Sequence, residues 1–469
     1  MSASDGRAPS GLADPLEAGR NTHDPDGVEE ALALVSGRTL RPDPARGPER
    51  SPEAADGGGH RAVSWPQARS IAARAGRGGP VRTQRVALDQ AVGRVLGEPL
   101  TALCDLPPFD TSAMDGWAVA GPGPWTVSGG DSVLAGQSAP PPLEDGTAVR
   151  IATGARIPPE ATAVIRSEHA RTDAGQRLLH AERSVSQGQD IRSRGQECRL
   201  GDRLLPAACA VTPAVLGLAA AAGYDELAVV RRPRVEVLVL GDELLTAGRP
   251  HDGLIRDALG PMLGPWLGAL GAEVVAARRL GDDAGALRRA VTASEAEVII
   301  TTGGTAAGPV DHVHPVLRET DATLLIDSVA VRPGHPMLLA ALAASGGGPE
   351  GVSPARYLVG LPGNPLAAVS GLLTLAEPLL RGLVGLPAPA PYRMPVRVPV
   401  QGHPYDTRLV PFVHHDDGLT PVRYSGPAML RGIAAADGLA VVPPGGARPG
   451  DELEVLELPW VPGAFSADV

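Results

Sequence analysis

The chain contains no lysine; all 42 of its basic residues are arginine. Arginine holds its positive charge and can grip oxyanions with a planar fork, but it cannot act as a titrating amine near neutral pH. Cysteine is nearly absent too. Cys104, Cys198 and Cys209 are too few and too scattered for a disulfide framework or a zinc cluster, and read as small buried hydrophobes. Positive charge is in deficit: 53 acids against 42 bases give a formal net charge of −11, which argues against a nucleic-acid partner. The opening "MSASDGRAPSG" has neither a basic nor an apolar leader region, and no apolar stretch of about 18 residues runs uninterrupted. Neither a signal peptide nor a membrane span is expected, and a cytoplasmic protein is the default. His312, His314, His414 and His415 lack the spacing that brings zinc ligands together, so no zinc site is expected.

At 469 residues there is room for several domains. Residues 1 to about 60 are rich in Gly, Pro and charge, and read as a disordered extension. "SWPQARSIAARAG" predicts a helix capped at Ser64 with Pro66 in its first turn. "RVALDQAVGRVLGEPL" predicts a strand start and then an amphipathic helix. Residues 104–169 break into short strands split by Gly and Pro, a β-rich lobe. The flanking segments, 61–103 and about 170–232, form a helical and mixed linking domain that includes a helix from Pro213 to Gly223.

Three strand–loop–helix units follow: "VEVLVL" then "GDELL", "AEVII" then "TTGG", and "RYLVG" then "LPGNP". Near-continuous apolar strands alternating with helices predict a doubly wound parallel sheet of Rossmann type over 233–385. Ligands of such sheets sit at the carboxyl ends of the strands, the edge that carries all three loops. A linker, "PAPAPYR", then leads to a small β-barrel-like domain over 390–462. The chain is expected to be an α/β multidomain protein.

The loops suggest chemistry. Gly303 and Gly304 let backbone N–H groups approach a ligand, and the helix after them offers its positive end to an anion. Gly363 and Asn364 precede Pro365, a residue suited to a first helical turn. Asp242 and Glu243 end a strand, where a carboxylate can hold a metal or a hydroxyl, or simply cap a helix.

"LPPFDTSAMDGWAV" (106–119) is more specific, two acids flanking Ser-Ala-Met. It resembles the signature of the molybdopterin molybdenumtransferases, the MoeA and gephyrin E-domain family. "VRIATGARIPPEATAVIRSE", "IRSRGQECRLGDRLL", "RRPRVEVLVLGDELL", "TTGGTAAGPVDHV", "VAVRPGHP", "LPGNPLAAVSGLL" and "SGPAMLRGIAAADGLAVVPPG" follow in family order, covering about 61 to 458. The resemblance implies four domains per subunit and a homodimer, with the cleft between the Rossmann-like domain of one subunit and the β-lobe of the other. It also implies insertion of molybdate into adenylylated molybdopterin, with release of AMP assisted by Mg²⁺.

Carried onto this chain, the resemblance assigns Asp257, Asp311 and Asp242 to catalysis, and Asp257, Asp311 and Glu243 to the metal. Thr302, Gly303, Gly304, Thr305, Arg332, Pro362, Gly363 and Asn364 would bind the cofactor-derived substrate. Asp110, Ser112, Asp115 and Thr153 would do so from the β-lobe. Departures cluster at the same places: Ala258 and Leu259 after Asp257, Ala306 and Pro309 in the Gly-rich loop, then His314, Ser328 and His335. They raise a rival expectation, a catalytically eroded paralogue that binds molybdopterin or serves as a scaffold. A third, an adenylyltransferase-like role, rests on the central domain alone.

Overall fold

The computed structural model describes residues 62–129, 132–136, 138–173, 175–305, 312–343 and 355–459. The extension expected to be disordered lies outside them, as do Ala306, Pro309 and Asp311. Strand β1 (Val63–Ser64) runs directly into helix α1 (Trp65–Gly76). Ser64 has the extended backbone of a cap residue, and Pro66 sits in the first turn, where a missing N–H leaves no bond unmade. The expected hydroxyl cap does not form; Ser64 Oγ instead donates to the Gln67 side chain at 3.2 Å.

Strand β2 (Thr83–Ala87) follows, but the amphipathic helix expected after it is absent. Only Leu88–Gln90 make a single 3₁₀ turn. Gly93 then takes a φ of 75°, and the N–H groups of Leu96 and Gly97 donate to Cys209 O and Ala228 O at 2.8 and 2.9 Å. Pairing with distant backbone overrides the weak helical periodicity.

The lobe is a six-stranded sheet of β3 (Gly116–Val119), β4 (Trp125–Val127), β5 (Thr147–Ile151), β6 (Ala163–Arg166), β7 (Ala170–Asp173) and β8 (Leu178–Ala181), in the order β6-β3-β5-β4-β8-β7. The sheet therefore continues past residue 169, where the sequence pattern ended it. Strand β7 lies at an edge with Arg171, Thr172 and Asp173 exposed, so no apolar alternation marked it. Helix α2 (Pro213–Ala221), capped by Thr212 accepting Val215 N at 3.2 Å, leads to β9 (Glu226–Val230), which pairs antiparallel with β2.

The central domain contains β10 (Arg234–Leu240), α3 (Leu259–Ala269), β11 (Glu273–Leu280), α4 (Ala284–Ala293), β12 (Val298–Thr302), α5 (Val313–Glu319), β13 (Thr323–Asp327), β14 (Val329–Arg332), β15 (Leu338–Leu342), β16 (Arg356–Leu361) and α6 (Pro365–Leu383). Its sheet order is β11-β10-β12-β16-β15-β13. The first four strands are parallel, but β15 pairs antiparallel with both β16 and β13, so the sheet is mixed, with one reversed strand, rather than parallel throughout. No crossover helix separates β13 from β15, and only such a connection would keep them parallel.

Strand β14 leaves that sheet. It joins β17 (Tyr392–Pro395), β18 (Thr407–His415), β19 (Gly418–Pro421), β20 (Gly438–Val442) and β21 (Glu452–Glu457) in a seven-stranded sheet that also takes in β1, ordered β1-β14-β18-β20-β21-β17 with β19 on β18. The C-terminal domain is thus completed by two short strands from far earlier in the chain.

Helix α6 is long and apolar enough to cross a membrane, but 83% of its most apolar window is buried in protein, so it is a core helix. A π turn, Leu372–Ala376, interrupts it. Helices α1 and α6 cross at a pair of glycines: a methyl on Gly76 would stand 3.0 Å from the Gly382 Cα and 2.2 Å from Leu379 O. The contact brings Trp65 against the π turn, where its Nε1 donates to Thr374 Oγ1 at 3.1 Å.

Candidate active site

The register of the parallel strands sets the site. Val239 of β10 lies opposite Thr302 of β12, and Thr302 lies opposite Leu361 of β16, so three strand ends stand side by side. The segments 241–243, 303–305 and 362–364 therefore share one crest. Gly303 donates its N–H to Leu361 O at 2.8 Å and has a φ of 81°. A methyl on Gly363 would lie 3.6 Å from the Gly303 Cα, and one on Gly303 would lie 3.5 Å from Leu240 O. Bare backbone from three loops meets here, the arrangement that lets an anion be held by N–H groups.

The polar groups of the crest divide into buried and exposed sets. Thr302 and Thr305 are buried, Gly303 and Gly304 half-buried, and Gly363, Asn364, Asp242 and Glu243 exposed. Thr301, fully buried, has a side-chain oxygen without a hydrogen-bond partner. Asp257 is hung on the first loop, since its N–H donates to Leu245 O at 3.0 Å and Ile255 N donates to Glu243 O at 2.8 Å. One Asp257 oxygen accepts Gly260 N at 2.8 Å, which caps α3.

The expected metal ligands are not gathered into a cluster. Among the described residues, no group of three or more His, Cys, Asp or Glu could hold a metal. Asp257 is turned toward its helix, Glu243 lies over Gly241, and Asp242 lies over Gly281. Asp311 falls outside the described residues. Magnesium retains several waters and takes one or two carboxylates along with substrate phosphates, so a site for it does not require three protein ligands.

Two other expectations change. The LPGNP helix end offers less to an anion than its sequence suggests, because Leu366 N and Ala367 N donate to Pro427 O at 2.9 and 3.3 Å. The C-terminal domain thus covers the start of α6. Arg332 ends a strand of the C-terminal sheet, and its Nε donates to Asp406 at 2.9 Å with Asp406 mostly buried. Gly334, two residues on, lies against the first turns of α6, where an added methyl would stand 3.1 Å from Ala367 O.

The departures from the family pattern have their own partners. The His335 ring nitrogen Nδ1 lies 2.8 Å from Val329 O, and His314 Nε2 lies 2.9 Å from Asp327. Ser328 takes a φ of 72° at the turn into β14, and Val63 N donates to its carbonyl at 3.1 Å. The two histidine side chains and the Ser328 carbonyl fasten loops to the scaffold.

The β-lobe residues form a second group. Asp110 accepts Arg194 N at 2.7 Å, Ser112 Oγ donates to Met114 O at 2.6 Å, and Asp115 accepts Thr153 N at 2.7 Å and Thr153 Oγ1 at 3.0 Å. Among the described residues no hydrogen bond or ion pair links these four to the crest loops. The Thr153 backbone N–H, then its hydroxyl, hold the Asp115 carboxyl below the usual carboxylate range. Because the folded-state value is depressed, this stabilisation is complete above about pH 4 and is lost as pH falls through the folded value. The melting-temperature gap between the native chain and Asp115→Asn is therefore expected to be full at neutral pH and to close on acidification. A gap that stays constant down to pH 3 would show that the charge of Asp115 does not hold the lobe together.

One cation at the crest carried no sequence signal. Arg279, near the end of β11, donates from Nη2 to Gly241 O and Asp242 O at 3.3 and 3.2 Å. Its position at the carboxyl end of an edge strand becomes visible only with the strand order. The Pro427 carbonyl was missed for a similar reason, since its loop is distant in sequence.

Comparison with known proteins accords with this geometry. Residues 63–223 match the MoeA N-terminal region (domains I and II), 236–382 a probable molybdopterin-binding domain, and 393–458 the MoeA C-terminal region (domain IV). The chain is 35% identical over 379 residues to molybdopterin molybdenumtransferase 2 of Mycobacterium tuberculosis, covering 76% of this chain and 90% of the relative. It is 30% identical over 401 residues to the molybdopterin molybdenumtransferase of Nostoc sp., covering 80% and 89%. The crystal structure of a molybdopterin biosynthesis MoeA protein from Pyrococcus horikoshii has the same fold, with a TM-score of 0.67 at 23% identity, covering 85% of this chain and 99% of that one.

Proposed function

Because the chain belongs to the molybdopterin molybdenumtransferase family, we propose that its crest binds adenylylated molybdopterin, accepts molybdate and releases AMP. The observation that carries this reading is the approach of Gly303 to Gly363 and Leu240 O, which leaves bare backbone where a phosphate must be held. Thr302, Gly303, Gly304 and Thr305 form one wall of the cradle, and Pro362, Gly363 and Asn364 the other. Asp257 and Glu243 are the described carboxylates that would hold Mg²⁺, which would supply charge neutralisation for the phosphates. Asp257, Asp242 and Asp311 are the catalytic acids that the family resemblance assigns, Asp311 lying outside the described residues. Arg332 attracts molybdate once it exchanges Asp406 for the oxyanion.

Asp110, Ser112, Asp115 and Thr153 act from the lobe of a second copy, in a homodimer whose cleft spans the two subunits. The direct test is incubation with adenylylated molybdopterin, Mg²⁺ and molybdate. Failure to release AMP ends the proposal of turnover.

Arg279 places a positive charge at the crest in a chain without lysine, held there by the carbonyls of Gly241 and Asp242. Arg279→Ala is expected to weaken substrate binding by roughly 10-fold or more, the scale of one charge-assisted hydrogen bond. Measured KM should rise with little change in kcat; an unchanged KM removes Arg279 from the site. A second reading, an eroded paralogue that binds molybdopterin without turnover, draws on the engagement of His314, His335 and Arg332 with the scaffold. Rescue of a strain lacking the transferase rules it out.

A further inference from the structure

A cavity of about 770 Å³ lies at the opposite edge of the central sheet from the crest. Arg232 lines it just before β10 begins, and Gly271 just before β11 begins, so the strands enter there. Its walls come from the linking domain, from α3 and α6, and from β21 of the C-terminal sheet. Four arginines line it: Arg69, Arg94, Arg232 and Arg381.

Two of the four are already engaged. Arg69 pairs with Glu377 at 3.4 Å, and Arg381 donates twice to Pro387 O, at 2.8 and 3.2 Å. Among the described residues, Arg94 donates to a carbonyl, Gln90 O, at 3.0 Å. Arg232 has a buried Nε with no hydrogen-bond partner. Among the described residues, neither Arg94 nor Arg232 makes an ion pair with a carboxylate. Burial first, and the Arg232 charge second, hold the Arg94 guanidinium below its ordinary value, while Glu273 acts in the opposite direction. Two like charges thus share a partly desolvated wall, an arrangement that an anion relieves.

The remaining lining narrows the anion. Glu454 and Glu457 stand on the β21 wall and disfavour heavily charged ligands such as a nucleoside triphosphate. Val95, Val230, Leu270, Leu456 and Leu458 supply apolar surface. The volume falls within the range of small-molecule sites, about 300–1,000 Å³. Two guanidinium forks match a dianion.

We propose that this cavity binds a small organic phosphate monoester, its phosphate between Arg94 and Arg232 and its apolar body against the valine and leucine wall. None of its lining residues belongs to the crest, so the ligand binds independently of the substrate site.

The test is calorimetric titration of the full chain with phenyl phosphate, beside inorganic phosphate and ATP. One phenyl phosphate should bind per chain, more tightly than either of the other two. Arg232→Gln and Arg94→Gln should each weaken it by about 10-fold or more, whereas Asp257→Asn at the crest should leave it unchanged. Absence of binding to the native chain at millimolar phenyl phosphate overturns the proposal. So does binding that survives both arginine variants, or that Asp257→Asn abolishes. Inorganic phosphate binding as tightly as phenyl phosphate overturns the assignment to an organic ester.

Discussion

Gly303→Val is expected to lower the rate of AMP release by roughly 100-fold while the chain remains folded, since a misplacement of about 1 Å at a reacting group has consequences of that size. Gly303 has a φ of 81°, a region where a β-branched side chain is strained by about 1–3 kcal/mol. An added Cβ would also stand 3.5 Å from Leu240 O, at ordinary contact, so the larger valine has to displace either its own loop or that of Gly363. Both movements spoil the cradle rather than the core, because Gly303 is only half-buried. Gly303→Asn separates the two causes, since asparagine tolerates positive φ. It should retain more activity than the valine variant. Full turnover by Gly303→Val would place phosphate binding elsewhere.

Trp65→Ala is expected to destabilise the chain by about 3–5 kcal/mol, the range for removing a buried large aromatic side chain. Trp65 is 4% exposed and belongs to the largest apolar cluster, where α1 meets α6. Its loss also strips the indole donor from Thr374, which is fully buried in the π turn. The preceding strand β1 pairs with β14, Val63 against Val329, so loosening α1 should also loosen the C-terminal sheet. Trp65→Phe keeps most of the apolar contact but not the N–H, and should cost less. Urea unfolding checks both, and an unchanged midpoint for Trp65→Ala would show that α1 is not integral to the core.

The central strands were legible because their burial imposes a pattern: β12 and β16 are buried at every position, and apolar runs ending in glycine mark both. Helix α1 was legible from Pro66 in its first turn, although the Ser64 cap does not form. The caps that do form, Thr212 at α2 and Asp283, whose carboxyl accepts Gly285 N and Ala286 N at the start of α4, emerged only from the structure. The false helix after β2 has the converse explanation. Its apolar residues serve a sheet-like pairing with Cys209 and Ala228, partners more than a hundred residues away. The short strands β1 and β14 were hidden because two or four residues carry no period.

At the site the division is similar. Glycine pairs at strand ends pointed to the crest before any geometry was known, since close backbone approach restricts the residue type locally. The fates of the charges were not readable in this way. Asp406 engages Arg332, Pro427 O takes the first N–H groups of α6, and Arg279 stands over Gly241, each through contact between segments distant in sequence.

By itself, then, the sequence determined the family, the parallel strands of the central domain and the identity of the three loops, because each depends on residues close together in the chain. Tertiary structure alone decided that the sheet is mixed, that the C-terminal sheet borrows β1 and β14, and which charges at the crest are engaged. Those outcomes depend on which distant backbone and carboxylate groups come within about 3 Å of one another, the reach of a hydrogen bond.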